Sequence, residues 1–175
     1  IGDMAWQAGD MRARGFLLGG TAGRTTLNGE GLQHEDGQSQ IQAGLIPNVR
    51  SYDPTFSYEV VTLFQHGMKR MLEDQVDEYW YLTLMNENYP HPEMPEGSAE
   101  GIIKGMYLLK DGGKPKKGEM RVQLMGSGTI LNEVIAAAGL LEKDFGVTAD
   151  IWSCPSFNEL ARDGNAATRW PDWRE

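Results

Sequence analysis

Between positions 19 and 37 the chain reads GGTAGRTTLNGEGLQHEDG, and Glu30, His34, Glu35 and Asp36 within it are side chains able to give or take protons. Glu30 and His34 stand four residues apart, so one helical turn through Gly31, Leu32 and Gln33 would bring them to the same side. A carboxylate beside an imidazole favours its protonated, proton-donating form. The glycines permit backbone turns and close approach of a ligand. A connection this long inside a compact domain is a working site or disordered. Two readings stand: a proton-transfer site, or a glycine-rich surface loop whose charges solvate it.

Other polar groups are weighed against plainer roles. Gly126, Ser127 and Gly128 follow a strand candidate and invite a phosphate-cradling turn, but the third glycine of the dinucleotide fingerprint is missing, so a structural turn is favoured. Asn86, Glu87 and Asn88 leave a strand at its carboxyl end, where ligands of open α/β sheets gather, and a polar cap on that end serves as well. Asp53-Pro54 and Asp163-Gly164 read as turn chemistry. His66 is expected on a solvated helix face, His91 in an exposed linker, and Cys154 as a buried, inert thiol beside Ile151 and Trp152.

These groups must be positioned by an alternation of strands and helices. A helix is expected over residues 3–11. A short buried strand is expected at 16–18, closed by Gly19-Gly20 and feeding the loop, and a second strand at 49–52. From Phe56, apolar residues at Val60, Leu63, Phe64, Met68 and Met71 fall at helical spacing, with Glu59, Gln65, His66, Lys69 and Arg70 on the other face. Residues 79–85 are almost wholly apolar and aromatic, as a central strand of a parallel sheet should be.

Three prolines between 90 and 95 end regular structure, and a domain boundary is expected there. Beyond it, a helix is expected over 99–109, then a polar glycine-rich turn over 110–118. The next pieces are a strand at 121–125, a helix begun by Thr129 and closed by Gly146, and a strand at 148–153. Ser156 and Glu159 are spaced as a capping box opening another helix. The pair of strands with its connecting helix is a βαβ unit. Ending two strands into a domain suggests a piece of something longer.

With 175 residues, 40% of them apolar, the chain can bury roughly 70% of its unfolded surface without staples. A net charge of −9 disfavours nucleic acid, no apolar run approaches the length of a membrane span, and one cysteine allows neither an internal disulfide nor a cysteine zinc cluster. This composition suits a reducing compartment.

The run RGFLLGGTAGRTTLNGEGLQHEDG at 14–37 closely resembles the thiamine-diphosphate-dependent first component of the pyruvate dehydrogenase complex in its bacterial homodimeric form. The resemblance continues through SYDP at 51–54, YEV at 58–60, NENY at 86–89, MPEG at 94–97 and SFNELARDG at 156–164, nearly the whole chain. It implies an α/β, transketolase-like fold: residues 1–90 as the later part of a pyrimidine-binding middle domain, 91–98 as a Pro-rich linker, and 99–175 as the opening βαβ of a C-terminal domain.

It also implies decarboxylation of pyruvate with thiamine diphosphate and Mg2+, and transfer of the two-carbon unit to a lipoyl group of the acyltransferase component, by a cytoplasmic homodimer. His34 matches the family's active-site histidine and Glu30 its supporting partner. No metal ligand and no cofactor-binding residue is assigned within the chain, since the family's diphosphate and magnesium ligands belong to segments before Ile1. Gln38 and Gln40 stand where the family pattern has histidines, which weakens a proton relay through them. The alternatives are another transketolase-like thiamine enzyme acting on a different 2-oxo acid, and a non-catalytic subunit-contact module built on the strand at 79–85.

Overall fold

The computed structural model describes residues 2–20, 36–85, 87–113 and 120–169. Helix α1 (Gly2–Asp10) leads into strand β1 (Gly15–Gly20). Helix α2 (Ser39–Leu45), strand β2 (Val49–Tyr52) and helix α3 (Ser57–Met68) follow, and α3 widens into a π-helical turn over Lys69–Glu73 before strand β3 (Tyr79–Leu84). The first sheet is parallel throughout, in the order β1-β3-β2, with Phe16 level with Trp80 and Tyr52 level with Leu82.

The latest strand in sequence thus lies in the middle, which explains its composition. Five of the six β3 residues, Tyr79 to Thr83, are buried, as expected of a strand covered on both faces. Trp80 stacks on Tyr52 with ring centroids 5.3 Å apart, and Leu63, Met71, Leu82, Ile102 and Tyr107 complete that core. Strand β1 departs from expectation. Leu17 and Leu18 are 48% and 46% exposed, because β1 has a neighbour on one side only among the described residues.

Residues 87–95 carry no regular structure, yet they are fastened. The Tyr89 hydroxyl donates to the Thr55 carbonyl, and Nδ1 of His91 accepts from the Ser57 amide at 2.9 Å while its ring stacks on Tyr89. His91 is exposed, as expected, and it also caps the start of α3.

The helix expected over 99–109 is shorter: α4 spans Ala99–Lys104, and strand β4 (Tyr107–Lys110) follows. Gly105 ends the helix in the left-handed region at φ 101°, its amide bonded back to the Gly101 carbonyl. The freed segment pairs antiparallel with β6, Tyr107 opposite Ser153.

Strand β5 (Arg121–Gly126), helix α5 (Ile130–Phe145) and strand β6 (Thr148–Ser153) form the expected βαβ unit, with β5 and β6 parallel, in a second sheet ordered β4-β6-β5. Leu131 and Ala138 of α5 pack with Phe56, Ala149 and Ile151, so one residue from the first half of the chain belongs to this core. Gly146 ends α5 and Thr129 sits at its N-cap, though without a side-chain cap bond. Helix α6 (Phe157–Arg169) takes in Asp163 and Gly164, which are helical rather than a turn. Ser156 Oγ accepts the Glu159 amide at 3.0 Å, one half of the capping box; the Glu159 carboxylate turns to Arg50 instead.

A candidate active-site region at the carboxyl ends of the strands

Glu30, His34 and Glu35 lie outside the described residues, as does Asn86; the described chain leaves at Gly20 and resumes at Asp36. Both of those points lie by the carboxyl end of β3. Gly20 is level with Leu84, and Oδ2 of Asp36 accepts from the Tyr81 hydroxyl at 3.1 Å. Oδ1 of Asp36 accepts the amides of Gln38 and Ser39 at 3.1 and 3.0 Å and so caps the first turn of α2. Burial works to raise the Asp36 pKa, but the bonds from Ser39, Tyr81 and Gln38 outweigh it and hold the carboxyl below its usual range.

Asp36 is therefore not the free surface charge that its place in the loop suggests. Its partner comes from a strand far away in sequence, which local spacing does not reveal. The same tyrosine covers β1. A Cβ at Gly19 would stand 2.5 Å from the Tyr81 hydroxyl, so the strand passes under that ring only as glycine. Burial pushes the Tyr81 phenol up to about 12, which keeps it a neutral donor near pH 7.

Gln40 is half-buried and tied into the scaffold. Its Nε2 donates to the Tyr52 carbonyl at 2.9 Å, and its own carbonyl accepts Asn158 Nδ2 at 2.7 Å. The side chain thus joins α2 to β2, and the backbone carbonyl joins α2 to α6. Gln38 is exposed, and so are Glu87 and Asn88.

Asp53, expected to be turn chemistry alone, is buried where β2 meets the second sheet. Its Oδ1 accepts from Thr83 Oγ1 at 2.5 Å and its Oδ2 from Ser127 Oγ at 3.0 Å. Its carbonyl accepts the Gly128 amide at 3.0 Å, and its amide donates to the Pro155 carbonyl at 2.6 Å. Gly128 takes φ 54°, and a Cβ there would reach within 2.8 Å of the carboxylate. The 126–128 turn therefore grips an aspartate of this chain. Beside it opens a cavity of about 300 Å³ lined by Gln40, Asp53, Ser127, Ser156 and Asn158. It lies beyond the carboxyl ends of β2, β5 and β6, the usual ligand side of open α/β sheets. That placement is the signal that the sequence did carry for Asp53.

Glu59, placed by spacing on the polar face of α3, is fully buried. It accepts the amides of Thr55 and Phe56 at 2.5 and 2.9 Å, the Tyr107 hydroxyl at 2.7 Å and Ser153 Oγ at 2.6 Å. Four donors satisfy a carboxylate that would otherwise be very costly to bury. His66 packs its ring edge against Trp80, 5.8 Å between centroids, and is not wholly solvated. Cys154 is buried, and burial raises its thiol pKa, in keeping with an inert role. Among the described residues no cluster of three His, Cys, Asp or Glu could hold a metal, and no helix is long and apolar enough to cross a membrane.

This geometry has known relatives. Residues 1–92 match the pyruvate dehydrogenase E1 component middle domain, and residues 105–169 match the transketolase-like C-terminal domain. The pyruvate dehydrogenase E1 component of Pseudomonas aeruginosa is 62% identical over 170 residues, and that of Escherichia coli K12 57% identical over 173. Each comparison covers 97% of this chain and 19% of the relative, so the chain spans about a fifth of their length. Among solved structures, transketolase from Campylobacter jejuni superposes with a TM-score of 0.68 at 20% identity, covering 91% of this chain and 23% of that one. The fold is transketolase-like α/β, and the chain belongs to the pyruvate dehydrogenase E1 component family.

Proposed function

We propose that this chain is part of a pyruvate dehydrogenase E1 component that decarboxylates pyruvate with thiamine diphosphate and Mg2+ and passes the two-carbon unit to a lipoyl group of an acyltransferase component. Residues 1–90 are the later part of a middle domain, 91–98 a linker and 99–175 the start of a C-terminal domain. The working enzyme is a cytoplasmic homodimer. Glu30 and His34 handle protons at the substrate, with His34 the donor and Glu30 its support. The cofactor supplies the electron sink when bound.

One observation carries the reading beyond family membership. The bond from Tyr81 to Asp36 fixes the residue two places after His34 beside the carboxyl end of the central strand, the side on which such sheets do chemistry.

The 175-residue chain alone is expected to lack turnover, because it spans about a fifth of its relatives' length and positioning supplies much of a catalyst's barrier reduction. The test is carbon dioxide release from a panel of 2-oxo acids, with thiamine diphosphate and Mg2+ present, by the longer enzyme and by this chain. Pyruvate preference in the first and silence in the second are expected. Turnover by the isolated chain, or preference for another 2-oxo acid, would overturn the reading.

A further inference from the structure

A cavity of about 590 Å³ lies between the π-helical turn after α3, strand β2 and helix α6. Its inner wall is apolar, with Trp80, Tyr52, Ile103, Met106 and Leu160. Its charged groups are Arg50, Arg70, Lys104 and Arg162, against Glu159 and Asp163. An apolar body with a few convergent polar groups, at the junction of two packed units, is the usual form of a small-molecule site.

The cations are held in place. Glu78, with its side chain 3% exposed, accepts Arg70 Nε at 2.6 Å and Nη2 at 3.0 Å, and Arg50 Nε at 3.1 Å. Arg50 Nη1 donates to Glu159 at 2.5 Å, and Arg162 spends both terminal nitrogens on the carbonyls of Pro47 and Val49. Each guanidinium of Arg50 and Arg70 is thus fixed by bonds to two of its nitrogens. Arg50 Nη2 and Arg70 Nη1 make no hydrogen bond among the described residues. Among the described residues Lys104 pairs with Glu100, where both side chains are more than 70% exposed, so that pair is weak and easily exchanged.

Four cationic side chains line this cavity against two carboxylates, and the carboxylates that offset them, Glu78 and Glu100, are not part of its lining, in a chain whose net charge is −9. Pre-positioned guanidinium nitrogens beside an apolar wall suit an oxyanion carried on a compact organic body. We infer that this cavity binds a small organic phosphate, its phosphate at Arg70, Arg50 and Lys104 and its apolar part against Met106, Ile103 and Leu160. The inference is independent of the pyruvate dehydrogenase reading.

Phenyl phosphate is the probe, titrated calorimetrically into the 175-residue chain at low ionic strength, with phenol and inorganic phosphate as comparisons. The variants are Lys104→Gln, at an exposed position, and Arg70→Gln, which leaves Glu78 its bond to Arg50; circular dichroism checks that each stays folded. Phenyl phosphate is expected to bind with a Kd below about 1 mM, at least about tenfold tighter than either comparison. Lys104→Gln should weaken it about fivefold, and 0.5 M salt should weaken it further. Absence of binding, phenol binding as tightly as phenyl phosphate, or a Kd unchanged by Lys104→Gln would overturn the inference and leave the arginines as a purely structural ion network.

Discussion

Ser127 Oγ donates to Asp53 Oδ2 across 3.0 Å, so the turn after β5 and the end of β2 are joined side chain to side chain. The carboxylate also accepts from Thr83, and the backbone of Asp53 bonds to Gly128 and Pro155. One residue therefore links both sheets at the mouth of the cavity. Asp53→Ala leaves the buried Thr83 hydroxyl and the half-buried Ser127 hydroxyl without this acceptor and should destabilise the chain by about 2–4 kcal/mol; Ser127→Ala should cost about 1 kcal/mol. Urea unfolding measures both. Equal costs for the two variants would argue that Asp53 is not the shared hub.

Gly19 and Tyr81 give a second test. A methyl group at position 19 would meet the Tyr81 hydroxyl at 2.5 Å, so Gly19→Ala should cost about 1–3 kcal/mol. Tyr81→Phe removes that oxygen, at the expense of its bond to Asp36. The double variant should be less destabilised than the sum of the two single ones, since the clash and the hydrogen bond share one atom. Strict additivity in thermal unfolding would mean that the ring does not lie over the strand.

Glu59 is fully buried and accepts four hydrogen bonds. Replacing it with alanine leaves Tyr107, Ser153 and two backbone amides without their acceptor. A loss of about 3–5 kcal/mol is expected, enough to unfold a marginal protein. Glu59→Gln keeps the shape, forfeits charge-assisted bonding and should fall between. A change under about 1 kcal/mol in either denaturation experiment would contradict the assigned network.

Glu78 makes stability depend on acid. Burial works to raise its pKa, but the bonds from Arg70 and Arg50 outweigh burial, and the folded value lies below the ordinary 4.5. A carboxyl depressed in this way stabilises the fold above its unfolded pKa and loses that contribution as pH falls through the folded one. The gap in stability between the unsubstituted chain and Glu78→Gln should therefore be full near neutrality and shrink below about pH 4. Urea midpoints at several pH values read it directly, and a gap that widened on acidification would reverse the sign.

Repetitive features were legible in the sequence. The apolar run at 79–84 and the helical spacing of α3 and α5 come from burial periodicity, which a sequence displays directly. Strand β4 was hidden because Tyr107, Leu108 and Leu109 fit a helix as well as a strand, and what decides is Gly105 and the free edge of β6. Asp36, Asp53 and Glu59 were misread for a different reason. Each looks solvated locally, and each is satisfied by donors from distant parts of the chain, including Tyr81, Ser127 and Ser153. Long-range polar partners leave no period. The resemblance of the 14–37 run, by contrast, was enough to reach the family that the comparisons show.

The proposed role of His34 is proton donation in the decarboxylation of pyruvate. Its most direct test is the rate of carbon dioxide release from pyruvate by the longer enzyme carrying His34→Ala, with thiamine diphosphate and Mg2+ saturating and folding checked by its unfolding midpoint. A positioned proton donor contributes about 10²–10⁴-fold, so kcat should fall by that range with the midpoint unchanged. A kcat within about twofold of the unsubstituted enzyme would contradict the account.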